Sequence, residues 1–321
     1  MRRTMLTVPL AGLTAAAALT ACGGGDATAG EGVNVIAAFY PLAFATEQVG
    51  GEGVTVTNLT PAGQEPHDIE LDPSDIARVE EADYIVYLEG FIPELDTAID
   101  EYASGRTLEI GSVVDMIGYD DTDSLEGGPG EDHEHETEDH HDHDALEGGD
   151  PHVWLDPIRY AAIGEAIAAD LADIDEDEAE TYTAGAAEFT AALTELDAEF
   201  TEGLAERVSD EIVTSHAAFG YLADRYGLRQ IAIAGLSPDQ EASSRRMARI
   251  AQFVEDHGVT TIFFETLASS SIADTIAAET GAQTAVLNPL EGLTEADGDD
   301  ADYFSVMRDN LAALQMALGA A

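Results

Sequence analysis

The chain has 321 residues, with 12 Lys+Arg against 65 Asp+Glu and a formal net charge of −53. Such a surface repels nucleic acid and anionic headgroups and concentrates cations, which argues against nucleic-acid binding without identifying a metal protein by itself. With one cysteine, Cys22, there is no disulfide framework and no Cys-type zinc site.

Residues 1–22 read as an export signal. Arg2 and Arg3 supply the positive end, Met5 to Thr20 are uncharged and apolar, and Leu19-Thr20-Ala21-Cys22 resembles a bacterial lipobox in which Cys22 receives lipid. The run is too short for a membrane span, and no later stretch is long and apolar enough for one. Residues 23–32 are Gly-rich and polar, a flexible tether. Val33–Phe39 then reads as a buried strand, followed by a helix from about Pro41. Val54–Leu59 alternates like a second strand. Asp72-Pro73-Ser74-Asp75 predicts a helix start, with Asp72 as N-cap and Pro73 at the first helical position. Asp83–Leu88 and Thr107–Ile110 complete four strands, and strands alternating with helices imply a parallel sheet covered on both faces.

That pattern stops near Asp120. Residues 120–150 are mostly Gly, Asp, Glu and His with almost nothing to bury, which predicts a disordered insertion. Order resumes at Asp150-Pro151-His152-Val153-Trp154-Leu155-Asp156-Pro157, where Asp156 and Pro157 repeat the N-cap signal for a helix to about Asp173. A longer helical stretch over about 177–208 carries Tyr182, Ala186, Phe189, Leu193, Leu196 and Phe200 at three- and four-residue spacing. Thirty helical residues would extend roughly 45 Å, enough to run from one lobe to another. Strands then recur at Glu211–Thr214, Arg229–Leu236, Thr260–Glu265 and Thr284–Leu290, with helices between and a last one over Ala301–Leu318. The expected fold is therefore α/β, with two parallel-sheet lobes over 33–173 and 209–321 joined by a long helix within 174–208.

Nine histidines divide by context. His133, His135, His140, His141 and His143 lie in the acidic insertion; His257 ends a polar helix and reads as a surface residue. His67 follows the second strand, His152 precedes the Asp156-Pro157 helix, and His216 follows the Glu211–Thr214 strand. Ligands of open parallel sheets bind beyond the carboxyl ends of the strands, and neutral imidazoles from two lobes suit a borderline cation. A lone histidine is more often a satisfied or surface residue, and spacing does not prove convergence.

Gln64-Glu65-Pro66-His67-Asp68 with Pro73-Ser74-Asp75-Ile76, the Asp150–Pro157 block, and Ser215-His216-Ala217-Ala218-Phe219-Gly220-Tyr221-Leu222 together resemble the zinc-type metal-binding receptors of bacterial zinc and manganese ABC importers. Phe39-Tyr40-Pro41-Leu42 and Leu287-Asn288-Pro289-Leu290-Glu291 fit the same pattern. The resemblance spans essentially the whole chain after the signal, in order. It implies two pseudo-symmetric, pseudo-Rossmann lobes bridged by a rigid helix, with Zn²⁺ between them. Carried over by position, His67, His152 and His216 are the first three ligands. Where many relatives place an Asp, this chain has Asn288, a poor zinc ligand. The fourth ligand is then expected to be Glu291, with Glu265 as the weaker candidate and bound water a third. An imidazole at 216, where manganese-type relatives commonly carry a carboxylate, points to zinc rather than manganese.

The resemblance further implies a monomeric receptor, anchored by lipid to the outer face of the cell membrane, that delivers Zn²⁺ to the permease and ATPase of an importer. Four protein ligands would leave no open position for an activated water, so no catalysis is expected. A secreted zinc hydrolase is the alternative of a different class, but no His-Glu-x-x-His or evident general base is present. A surface adhesin is another. The histidines of 131–144 read as auxiliary metal sites, a mobile collector or sensor, or else a solvated spacer.

Overall fold

The computed structural model describes residues 32–119, 149–240, 242–294, 296–298 and 300–320. The signal with Cys22, the tether up to residue 31, and the insertion with His133, His135, His140, His141 and His143 lie outside the described residues.

Two four-stranded parallel sheets are built in the same way. In the first, β1 (Val33–Ala37), β2 (Val54–Asn58), β3 (Tyr84–Tyr87) and β4 (Arg106–Glu109) are ordered β2-β1-β3-β4. In the second, β5 (Glu211–Thr214), β6 (Arg229–Ala232), β7 (Thr261–Phe264) and β8 (Gln283–Val286) are ordered β6-β5-β7-β8. Register runs Val33↔Val54 between β1 and β2, and Glu211↔Arg229 between β5 and β6. In each lobe the first strand is central and the chain moves outward to both sides. This places a topological switch, where loops diverge, at the carboxyl edge of each sheet.

Helices cover these sheets. α1 (Tyr40–Gly50), α2 (Pro73–Glu81) and α3 (Pro93–Tyr102) alternate with the strands of the first lobe. α2 begins with a capping box, Asp72 accepting from the Ser74 and Asp75 amides while Asp75 caps the Asp72 amide in return. α3 has no side-chain cap at Ile92, and its start is marked only by Pro93 and the acids Glu94 and Asp96 of its first turn. α4 (Pro157–Ile174) starts as expected on Asp156, whose carboxylate accepts from the Ile158 and Arg159 amides. α6 (Gly220–Tyr226), α7 (Ser244–His257) and α8 (Ser271–Thr280) alternate with the strands of the second sheet, and α9 (Tyr303–Leu318) follows β8, with Tyr303 packed on Phe44 and Tyr160.

The long helix is shorter than its periodicity suggested. α5 spans Ala179–Gly203, 25 residues, or about 37 Å. It begins late because Asp175 folds back to accept from the Asp177 amide. It ends at Gly203, whose carbonyl accepts from Gln315 Nε2 of α9 at 3.1 Å. Its buried stripe of Tyr182, Ala186, Phe189, Leu193, Leu196 and Phe200 is the predicted one. The helix packs on α1 and α4 and reaches α9, and Arg308 of α9 donates to the Glu199 carboxylate of α5 at 2.8 and 3.0 Å. One apolar core therefore runs through both lobes from Val33 to Leu318, and a smaller one lies under α7 and α8 around Ile231, Phe253 and Ile262.

Several strands end earlier than their apolar runs. β8 stops at Val286 because Leu287–Leu290 leave the sheet and bury in the main core. β1 stops at Ala37 because Phe39 becomes the N-cap of α1 and packs at a tilt against Phe91 and Trp154, with centroids 4.5 and 5.0 Å away. None of the described helices is long and apolar enough to cross a membrane.

Candidate metal centre

Each group at the centre sits beyond a carboxyl edge or on the segment that closes it. His67 lies on a single 3₁₀ turn, Pro66–Asp68, after β2, with its amide bonded to the Glu65 side chain at 3.4 Å. His152 precedes the Val153–Leu155 turn that leads into α4. His216 follows β5, and Glu291 follows β8. One ligand atom from each of His67, His152, His216 and Glu291 lies within 4.8 Å of all the others. The Nε2 atoms of His152 and His67 are 2.9 and 3.2 Å from Glu291 Oε1, that of His216 is 3.6 Å from it, and His216 Nε2 is 3.4 Å from His152 Nε2. Bonds of about 2.0–2.1 Å to a tetrahedral ion separate neighbouring ligands by about 3.4 Å, so the spacing suits Zn²⁺.

Buried carboxylates orient two of the rings from behind. His152 Nδ1 lies 2.7 Å from Asp150 Oδ1, which also accepts the His152 amide at 2.9 Å. His216 Nδ1 lies 2.6 Å from Glu265 Oε2, while Glu265 Oε1 accepts the His216 amide at 3.2 Å. A proton on Nδ1 held this way leaves each Nε2 facing the centre with its lone pair available. Both Glu265 oxygens are thus engaged with His216, and this acid, the weaker candidate for fourth ligand, stands behind a ligand. The role of Asp150 was missed from sequence; the signal was an acid two positions before a histidine, a spacing short enough for the carboxylate to reach both the amide and the ring.

Burial and charge are opposed at the centre. His152, His216 and Glu291 are fully buried. Burial alone would push the Glu291 carboxyl up, but hydrogen bonds from His152, His216 and His67 hold it well below the usual carboxylate range. Burial likewise works against a charged ring at His216 and His152, yet Glu265 and Glu291 pull His216 well above the ordinary imidazole value, and Asp150 and Glu291 raise His152. Burial wins at His67, which is lowered. Glu65, also missed from sequence, is raised to about 8 by burial and the neighbouring Glu291. A divalent ion captured here displaces the protons held on the ring nitrogens that face the centre and keeps the carboxylate as a ligand. Glu291 Oε2 is buried with no hydrogen-bond partner among the described residues, and a cation at the centre would compensate its desolvation.

Access is uneven. The His67 side chain is 12% exposed while that of Glu291 is 0%. A cleft of about 860 Å³, lined by residues that include Phe91, Met116, Leu236 and Gln240, reaches His67 and none of the other three. Behind His152 lies Trp154, fully buried, whose ring centroid is 5.4 Å from that of His152 and whose Nε1–H donates to Pro289 O at 2.7 Å, tying the Glu291 loop to the segment before α4. His257, as expected for a surface residue, is exposed, stacked on Phe253 and 3.3 Å from Glu211.

Residues 35–317 match the family model described as zinc-uptake complex component A, periplasmic. The chain is similar to the zinc-binding lipoprotein AdcA of Streptococcus pneumoniae (strain ATCC BAA-255 / R6), at 38% identity over 302 residues, 92% of this chain and 58% of that protein. It is also similar to the high-affinity zinc uptake system protein ZnuA of Bacillus subtilis (strain 168), at 36% over 310 residues, 94% of this chain and 93% of that one. The chain thus spans a little over half the length of the AdcA relatives it matches. Among solved structures, the laminin-binding protein Lmb of Streptococcus agalactiae, described as a bifunctional protein with adhesin and metal transporting activity, superposes with a TM-score of 0.75 at 30% identity, covering 89% of this chain and 100% of that one. The Zn(II)-bound ZnuA-like domain of Streptococcus pneumoniae AdcA gives 0.70 at 36%, covering 89% and 99%.

Proposed function

Because the chain belongs to the family of periplasmic zinc-uptake component A proteins, we propose that it captures Zn²⁺ outside the cell membrane and hands it to the permease and ATPase of an ABC importer. The observation that carries this reading is the convergence of His67, His152, His216 and Glu291 from four distant parts of the chain on one point. Three imidazole nitrogens with one carboxylate form a closed tetrahedral set for zinc. Manganese, the runner-up, prefers more oxygen ligands and higher coordination. With no open position on the ion, the protein binds and releases without catalysing hydrolysis. Zinc enters and leaves past His67, the one ligand that the cleft reaches.

Residues 1–22 serve as a lipoprotein signal, and Cys22 carries the lipid that holds a monomer at the membrane through the 23–32 tether. The lobes are 33–173 and 209–321, joined by the helix within 174–208. The histidines of the 120–150 insertion collect or sense zinc through weak, fast-exchanging sites. Titration of the metal-stripped protein with Zn²⁺, in competition with Mn²⁺, tests the central assignment. One tight zinc equivalent that excess Mn²⁺ does not displace supports it; no tight equivalent, or preference for Mn²⁺, contradicts it. The likeness to a laminin-binding protein favours adhesion as a second reading, which binding to immobilised laminin checks.

A further inference from the structure

Glu291 owes its place to an unusual piece of backbone. Leu290, immediately before it, has φ of +61° and is the one non-glycine residue in the left-handed region among the described residues. A buried β-carbon in that region persists only where the surroundings over-determine it. Here they do. The Leu290 amide donates to Asn288 Oδ1 at 2.8 Å, closing a side-chain turn over Pro289. Asn288 Nδ2 donates to Asp297 Oδ1 at 2.9 Å, and Asp297 Oδ2 accepts from both the amide and the hydroxyl of Thr294 at 2.7 Å. The Asn288 main chain is in turn gripped by the Asn310 amide of α9, which accepts from Asn288 N at 2.8 Å and donates to Asn288 O at 2.7 Å.

We propose that Asn288 is a positioning residue for zinc capture, its side-chain amide bridging Leu290 and Asp297 so that the left-handed turn aims Glu291 at the three imidazoles. The bridge needs an acceptor on one arm and a donor on the other, and a neutral amide supplies both. A carboxylate at 288 keeps the acceptor but sets a second negative charge against Asp297. The inference rests on Glu291 being a ligand, and the experiment separates the two claims.

Zn²⁺ affinity of the full chain is measured by competition with a chromophoric chelator for wild type, Glu291→Ala, Asn288→Asp, the Asn288→Asp/Glu291→Ala pair and the Asn288→Asp/Asp297→Asn swap. Equal affinity of wild type and Glu291→Ala removes the ligand assignment itself. With that assignment intact, Asn288→Asp weakens zinc about 10- to 100-fold in the wild-type background and no more than about twofold in the Glu291→Ala background, since it acts through the carboxylate already removed. The swap, which exchanges donor and acceptor between the two side chains, restores affinity to within about threefold. Loss of equal size in both backgrounds, no loss in either, or a swap that fails to restore binding overturns the proposal. Should Asn288→Asp alone not fold, the swap decides: wild-type affinity and melting temperature support the pair, and their failure overturns it.

Discussion

Glu291 Oε1 lies 2.9 Å from His152 Nε2 although 139 residues separate them in the chain. The contact joins the loop after the last strand of the second lobe to the segment that closes the first. Two further imidazoles gather on the same oxygen, from beyond β2 and β5. Both sheets repeat one strand order, and the loops beyond β2, β5 and β8 carry three of the four groups that meet here.

The carboxylates behind the rings set zinc affinity without touching the ion. Glu265→Ala frees the His216 ring and removes the charge that favours its Nδ1 proton, and Asp150→Ala does the same for His152. Each is expected to lower zinc affinity about 10- to 100-fold, whereas Glu265→Gln, which keeps an acceptor, costs less. Competition titration with a zinc chelator checks the ranking; a larger loss for Gln than for Ala would contradict it.

Acid weakens capture. His152 and His216 are raised in the metal-free protein by their carboxylates, so the stability they add is present at low pH and is lost as pH rises through their raised values. Glu291, held low, contributes above the ordinary carboxylate range and loses its contribution as pH falls through its depressed value. Zinc needs the rings deprotonated at Nε2 and expels those protons, so its affinity falls with pH from a point above the ordinary imidazole value of about 6.5. Affinity at pH 5 is predicted to be at least about tenfold below that at pH 7.5, and binding should release protons measurable as a buffer-dependent heat in titration calorimetry.

The Trp154 clamp contributes to stability as well as to the site. Trp154→Phe keeps most of the ring packing against Phe39 and Phe91 but leaves the buried Pro289 carbonyl without its donor. A loss of about 1–3 kcal/mol is expected in urea unfolding of the metal-free protein, together with weaker zinc binding because the Glu291 loop is released. Unchanged stability would show that the clamp contributes nothing.

Much of this was legible in the sequence because it rests on local chemistry. Asp72-Pro73 and Asp156-Pro157 mark helix starts by capping and a fixed φ, and both helices begin there. His67 and His216 stand just after strands and His152 just before a helix start, and the resemblance supplied Glu291. What escaped depends on long-range geometry. Glu265 looks like a candidate ligand until its strand is paired with β5, which sets it behind His216. Asn288 reads as a failed ligand until Asp297 and Asn310 close around it. α3 carries too short a pattern and too weak a cap to be seen alone.

The acidic insertion is expected to add capacity without building the tight site. Deleting residues 131–144, which removes five histidines, should lower the number of weak zinc equivalents in equilibrium dialysis and leave one tight equivalent. Loss of the tight equivalent would place part of the main centre in that segment.

Anomalous diffraction at the zinc edge from crystals of the zinc-loaded protein tests the four-ligand centre most directly. The account predicts one strong peak about 2.0–2.1 Å from Nε2 of His67, His152 and His216 and about 2.0–2.2 Å from a Glu291 oxygen. A tightly bound ion found elsewhere, or one at this centre held without two or more of these side chains, would contradict it.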